Sequence, residues 1–281
     1  MDLNGVITVG VLTPHATPGP DVELPDMAPG RVRVKLSRTS NEVPRRRGPD
    51  DARPTTVPTS ADGVRAQARP TFDKAVSALM PAAEVLALDR AASALMPTAD
   101  MLALDEAAAV VMPAADVLAV ASTGCGYVLG YDEESALVKG LRDRWGVPAY
   151  ATSLSAVSAL RSRDINRVSL VHPPWFGHAL NDLGAEYFRG QGFEVVDARL
   201  ADLPDDPSRV QPEMVVEWVA QHLSPGAEAI FIGGNGLRAA RAILPLERRT
   251  GRLVLEANQV LLWSILRNVR APVQGFGMLF D

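Results

Sequence analysis

Two short glycine-rich stretches hold the residues of this sequence best suited to chemistry. In VLAVASTGCGYVLG (117–130) an apolar run breaks into Ser122, Thr123, Gly124, Cys125 and Gly126. A strand that turns into a helix in this way aims backbone N–H groups and hydroxyls at an anion, with the helix dipole behind them. A carboxylate or a phosphate suits such a turn. A tight strand–helix connection, with glycines for backbone geometry alone, explains it equally well. The spacing of Gly124, Gly126 and Gly130 resembles part of a dinucleotide fingerprint, but no acidic residue closes a second strand about 20 residues later. The second stretch, AIFIGGNGLRAAR (229–241), sends another apolar run into Gly233, Gly234, Asn235 and Gly236. Two equivalent turns imply two facing half-sites. Asn235 donates and accepts hydrogen bonds but cannot act as a general base, and capping a helix start is its plainer role.

Groups able to move a proton lie close by. Cys125 stands where a helix N-terminus lowers a thiol pKa, although a buried, inert cysteine is the commoner fate. Glu256 and Asn258, in LVLEANQVLLW (253–263), mark another strand end. Glu256 suits general acid–base work, with a salt-bridged or surface role as the plainer alternative. Of the four histidines, His15 and His172 follow apolar strands at the end where sites form, while His178 and His222 fall in helical stretches. Spacing gives no support to a metal chelate of His15, His172 and Glu256, so no metal is expected.

The elements that must position these groups follow from apolar periodicity. Residues 6–12 (VITVGVL) and 32–36 (VRVKL) read as strands, and the Pro- and Gly-dense segment between them as a structured loop. Residues 41–70 are rich in Pro, Arg and Asp and read as a mobile loop, with Arg45, Arg46 and Arg47 as a solvated charge run. A 16-residue unit then occurs three times over 73–120, its first two copies identical at 11 of 16 positions. Each copy has an Ala-rich helical half, a Met-Pro interruption and an apolar half. Only the third copy runs into the first glycine-rich turn, which makes it the working strand. Beyond residue 130, helices at 133–143, 153–161, 177–191, 212–223, 237–250 and 259–268 alternate with strands at 147–152, 167–172, 193–200, 227–234 and 252–257. That alternation predicts an α/β fold of parallel sheet with helices on both faces and ligands beyond the carboxyl ends of the strands.

Composition narrows the classes of function. With 281 residues and 47% hydrophobic content, most of the chain is expected to fold. A net charge of -5, from 28 basic and 33 acidic residues spread along the chain, argues against nucleic acid as a partner. The single cysteine forms no internal disulfide, which fits a reducing cytoplasm. The start MDLNGVITVGVL lacks the regions of a signal peptide, and no apolar run reaches membrane-spanning length, so neither secretion nor membrane insertion is expected.

The stretch AIFIGGNGLRAARAILPLERRTGRLVLEANQVLLWSILR, with the terminal GFGMLF, resembles the maleate cis-trans isomerases and arylmalonate decarboxylases of the aspartate/glutamate racemase superfamily. The resemblance extends through RVSLVHPPWFGHALNDLGAEYFRGQGFEVV, WGVPAYATSLSAVSALRS, ADVLAVASTGCGYVLG and the opening VGVLTPHATPGPDVELPDMAPGRVRVKLSRTS. It implies two similar parallel-sheet α/β halves related by a pseudo-twofold, with a small carboxylate bound in the cleft between them and no cofactor. The division it suggests puts 1–146 and 259–281 in the first half and 147–258 in the second. The family's turns usually present two cysteines, one on each face of the substrate. Ser122 aligns with the first and Gly234 with the second, and neither replaces a thiolate directly. The family's tyrosine after the strand at 167–172 is also missing, where VHPPWF offers His172, Pro174 and Trp175.

The expectation is therefore a cofactor-independent enzyme acting on a small carboxylate-bearing molecule, possessing the family's fold without its thiol pair. Isomerisation, decarboxylation, elimination and cyclisation all pass through an enolate-like state that Ser122, Thr123, Gly124, Gly234, Asn235, Gly236, Asn258 and Trp175 would bind. His172, Glu256, Cys125 or His15 would move the proton. The alternative is a non-catalytic ligand-binding or partner protein that keeps the racemase-like fold. A homo-oligomer fits either.

Overall fold

The structure, a computed structural model, describes residues 5–15, 18–39, 101–267 and 273–281. The expected loop at 41–70, the first repeat copy and most of the second lie outside the described residues. The third copy folds as its pattern predicts. Its Ala-rich half is helix, Met112–Ala114 is a single 3-10 turn at the Met-Pro step, and Val117–Val120 is a strand.

The first sheet contains β1 (Ile7–Thr13), β2 (Val32–Arg38), β3 (Val117–Val120) and β4 (Ala149–Ala151), all parallel, in the order β2-β1-β3-β4. The second contains β5 (Arg167–His172), β6 (Glu194–Leu200), β7 (Ala229–Ile232) and β8 (Leu253–Glu256), in the order β6-β5-β7-β8. Each sheet thus sets its second strand outside its first and its fourth beyond its third, the same wiring twice. The central strands β1, β3 and β7 are buried along their whole length, which explains why they read as continuous apolar runs rather than alternating ones.

Nine helices surround the sheets among the described residues: α1 (Pro20–Met27), α2 (Met101–Val111), α3 (Thr123–Leu129), α4 (Tyr131–Trp145), α5 (Thr152–Ser162), α6 (Gly177–Arg189), α7 (Pro212–His222), α8 (Ile243–Thr250) and α9 (Ala257–Leu266). One apolar core joins Val9, Val11 and Ala119 of the first half to Ile230, Ile232 and Val254 of the second, so the two halves are sealed by side chains from both sheets. The last helix, α9, leaves β8 and packs against α5, α1 and β4.

Three sequence expectations are corrected. The segment between β1 and β2 contains α1 rather than loop alone. Pro20 occupies the first turn, where its missing N–H costs nothing, and Leu24 and Met27 are buried at helical spacing. The single helix expected over 237–250 is a 3-10 turn at Ala240–Ala242 followed by α8, because Arg238 takes a left-handed backbone, φ 58°, that no helix continues through. Finally, β4 pairs with β3 (Leu118 opposite Ala149), so the first sheet runs past the division suggested at 146/147. The crossover between halves is α5, not the turn before β4.

Candidate functional site

The carboxyl ends of β1, β3, β4, β7 and β8 converge on one hydrogen-bonded knot, and its centre is Asn235. Ser122 ends the first turn as the N-cap of α3, its Oγ accepting from the Cys125 N–H at 3.2 Å. The next residue, Thr123, donates its backbone N–H to Asn235 Oδ1 at 3.0 Å and its hydroxyl to the same oxygen at 3.1 Å. Thr123 Oγ1 in turn accepts the Gly234 N–H at 3.0 Å. The two glycine-rich turns are therefore stitched directly to each other.

The other end of the Asn235 amide is equally occupied. Its Nδ2 donates to Thr152 Oγ1 at 3.0 Å and to Asn258 Oδ1 at 2.9 Å. Asn258 Nδ2 donates to Glu23 Oε2 at 2.7 Å and to the Asn235 carbonyl at 2.9 Å. Both amides thus have every donor hydrogen engaged, a complete network of the kind that rigidifies a buried site. Thr123, Thr152, Asn235 and Asn258 are all buried. Gly19, between β1 and α1, presses on this knot, since a Cβ there would lie 2.6 Å from the Asn235 carbonyl oxygen.

Two carboxyl groups flank Asn258. Glu256 caps α9: its Oε2 accepts from Asn258 N at 2.8 Å and Gln259 N at 2.9 Å, while Gln259 Oε1 accepts from Glu256 N. Burial, and then the nearby Glu23 charge, push its pKa well above the ordinary carboxylate value. Glu23, from α1, also accepts the Ala240 N–H at 2.9 Å. Burial raises its pKa to about 7, against the downward pull of the Asn258 and Ala240 hydrogen bonds and of the Arg238 charge. Two acids contact one amide, both with pKa values raised by burial, and Glu23, at about 7, is able to take up or release a proton near neutral pH.

The remaining candidates are placed as follows. His172 is fully buried at the end of β5. Asn181 gives an amide hydrogen to the Ala198 carbonyl, so its oxygen accepts from His172 Nδ1–H at 3.0 Å, and the lone pair on Nε2 accepts the Tyr127 hydroxyl at 2.9 Å. Burial lowers the imidazole pKa to about 4, and the ring stacks on Phe176. Cys125 is buried in α3, with burial and the Glu134 charge raising its thiol pKa well above the usual value. Gly124 is buried beside it, Gly236 is buried in the second turn, and Trp175 packs half-buried against the apolar cores. His15 is half-buried just past β1, where its N–H donates to Thr13 Oγ1 and Thr13 Oγ1 donates to the Ala121 carbonyl next to Ser122. Among the described residues its Nε2 has no hydrogen-bond partner, and burial lowers its pKa to about 4. Among the described residues no group of His, Cys, Asp and Glu is arranged to hold a metal ion.

The structure thus brings Ser122, Thr123, Gly234, Asn235, Glu256 and Asn258 together, and sets His172 and Cys125 in the packing behind the first turn. It adds Glu23 and Thr152. Thr152 follows the apolar strand β4 as Ser122 follows β3, a signal present in the sequence. Glu23 had none, because its segment read as loop.

Gly234 has φ 92°, and a Cβ there would stand 2.9 Å from the Pro173 ring. A side chain at this position is opposed both by backbone conformation and by that proline, which would have to shift.

A family model described as arylmalonate decarboxylase matches residues 71–280. Unliganded arylmalonate decarboxylase superposes with a TM-score of 0.71 at 17% identity, over 98% of this chain and 99% of that one. The maleate isomerase Iso from Pseudomonas putida gives 0.65 at 19% identity, over 98% of each chain. A Cys-to-Ser mutant of the Nocardia farcinica maleate cis-trans isomerase, carrying a covalently bound succinylcysteine intermediate, gives 0.66 at 18% identity, again over 98% of each chain. No curated protein matches the chain by sequence.

Proposed function

This chain belongs to the arylmalonate decarboxylase family, and from that premise we propose that it is a cofactor-independent enzyme acting on a small carboxylate-bearing molecule without the thiol pair. The observation that supports this reading is the Glu23–Asn258–Glu256 arrangement, two buried acids with raised pKa values, Glu23 at about 7, at the carboxyl edge of the strands. One of them, as carboxylate, takes a proton from the carbon beside the substrate's carboxyl group. The electron pair left behind is delocalised into the carboxyl group as an enolate, and return of a proton to the same carbon completes an isomerisation. Ser122 and Gly234, read at the two cysteine positions, leave no thiol for the covalent route that the Nocardia farcinica mutant exhibits. At Gly234 the left-handed backbone and Pro173 both oppose one. In this reading His172 is a positioning residue, fixing Tyr127 and the first turn.

The test is hydrogen–deuterium exchange. The protein is incubated in D2O with a panel of small carboxylates that includes phenylmalonate and maleate, and NMR follows the proton next to each carboxyl group and any loss of CO2. Exchange or conversion of at least one member, abolished in Glu23→Gln with retained circular dichroism, is expected. No exchange with any member would sink the proposal.

One observation favours a second reading, that of a ligand-binding protein without turnover. The Thr123 donors, which an enolate-like state at the first turn would need, are already engaged by Asn235. Saturable binding of a carboxylate with no exchange on prolonged incubation would support it over the first.

A further inference from the structure

Glu23, a member of the buried network, also reaches a cavity. A pocket of about 280 Å³ opens beside α1, lined by Val22, Glu23, Met27, Pro212, Arg238 and Phe276 among others. None of the residues of the first glycine-rich turn lines it. An aromatic ring of benzene's size fits a cavity of about 150 Å³, so this space takes a ring or a branched chain with a carboxylate and excludes a nucleotide.

Its charges are unequal in their freedom. Asp26 and Arg241 are paired with each other at 2.9 Å on the rim. Arg238 has no salt-bridge partner among the described residues, and its charge acts on Glu23 from beyond ion-pair distance. Its backbone is left-handed, φ 58°, a conformation that a long side chain adopts only under constraint from its surroundings. A half-buried, unpaired guanidinium held in a strained position offers the planar fork that a carboxylate occupies bidentately. Apart from Gln211 the remaining wall is apolar, and Val22 is among the few exposed large hydrophobic residues described.

We propose that this pocket is a binding site for a small monocarboxylate bearing a branched or aromatic apolar group, its carboxylate on Arg238, its apolar group against Val22, Met27, Pro212 and Phe276, and Glu23 at its floor. A dicarboxylate fits less well, because among the described residues the pocket offers its second charge no free cation, Arg241 being already paired with Asp26. The assignment names the substrate class for the reaction proposed above and rests on that reading only in taking the bound molecule as substrate. Binding is measured apart from turnover.

Isothermal titration calorimetry with 4-methylpentanoate tests it, with the uncharged 4-methylpentanamide and with succinate as controls. The wild type is expected to bind the monocarboxylate saturably and at least about tenfold more tightly than either control, and Arg238→Gln to lose roughly tenfold or more. Arg238→Gly removes the same guanidinium while relieving the left-handed backbone, so it is expected to lose binding with the thermal midpoint unchanged or raised. Absence of saturable binding by the wild type overturns the assignment, as does binding that survives both variants or succinate binding as tightly as the monocarboxylate. Binding without exchange in D2O leaves the pocket assignment standing and removes only the catalytic reading.

Discussion

At the scale of single residues, Asn235 decides how the two halves meet. Its carboxamide, carried on the second turn, bonds to the first turn and to both flanking strand ends, through Thr123, Thr152 and Asn258. Asn235→Ala removes the acceptor of the Thr123 N–H and both donors, leaving several buried polar groups unsatisfied. The expected cost is about 3 kcal/mol, read as a fall in the urea midpoint with little change in slope. A loss of only a few tenths would mean that solvent or a neighbour takes over the bonds. Glu134 acts in a different place. It accepts the Tyr187 hydroxyl and the backbone N–H groups of Ser153 and Leu154 at the start of α5, and burial raises its pKa to about 8.

At the scale of elements, Gly234 carries both a left-handed backbone and a contact with Pro173, whereas Gly30 has a positive φ of 70° with open space around its Cβ. Comparing Gly234→Ala with Gly30→Ala therefore separates contact from strain. The first is expected to cost at least about 1 kcal/mol more than the second, measured by chemical denaturation, and equal costs would show that Pro173 yields freely. The elements themselves were largely legible. Buried parallel strands such as VITVGVL and AIFIGG announce themselves as apolar runs, and the third repeat copy carried its helix, its Met-Pro break and its strand in the order the structure has them. What escaped notice was tertiary. The α1 helix depends on Leu24 and Met27 finding the core, and the break at Arg238 on a backbone angle that no residue type dictates. For the site, the turns and Glu256 were visible because strand ends can be read from pattern. Glu23 was not, since its importance comes from a partner, Asn258, that lies 235 positions away.

At the scale of the whole molecule, buried titratable groups set how stability responds to pH. Glu134 and Glu23 rise from 4.5 to about 8 and about 7, and Glu256 rises with them. Their contribution is full below the unfolded value and is lost as pH climbs through the folded one. His15 and His172 fall from 6.5 to about 4, so their contribution is lost as pH drops through that window. Between 4.5 and 6.5 the two sets oppose each other; above 6.5 only the carboxyl groups remain. The unfolding free energy is therefore expected to decline from about pH 6.5 to about pH 8, at up to about 1.4 kcal/mol per pH unit for each proton, read as a falling thermal midpoint, and Glu134→Gln to flatten the decline. A midpoint that rises over this interval would contradict the assignment. The carboxamide of Asn235 lying on Thr123 has a consequence of another kind. It is an intramolecular competitor, present at every moment and independent of dilution. An anion seeking those donors binds only the fraction of molecules in which the side chain has swung away, and its apparent Kd is the intrinsic value divided by that fraction. If the open fraction were about one in a hundred, a ligand would look about a hundredfold weaker than its contacts warrant. Scarce anions would pass unnoticed and abundant ones would register, so the turn would work as a concentration threshold.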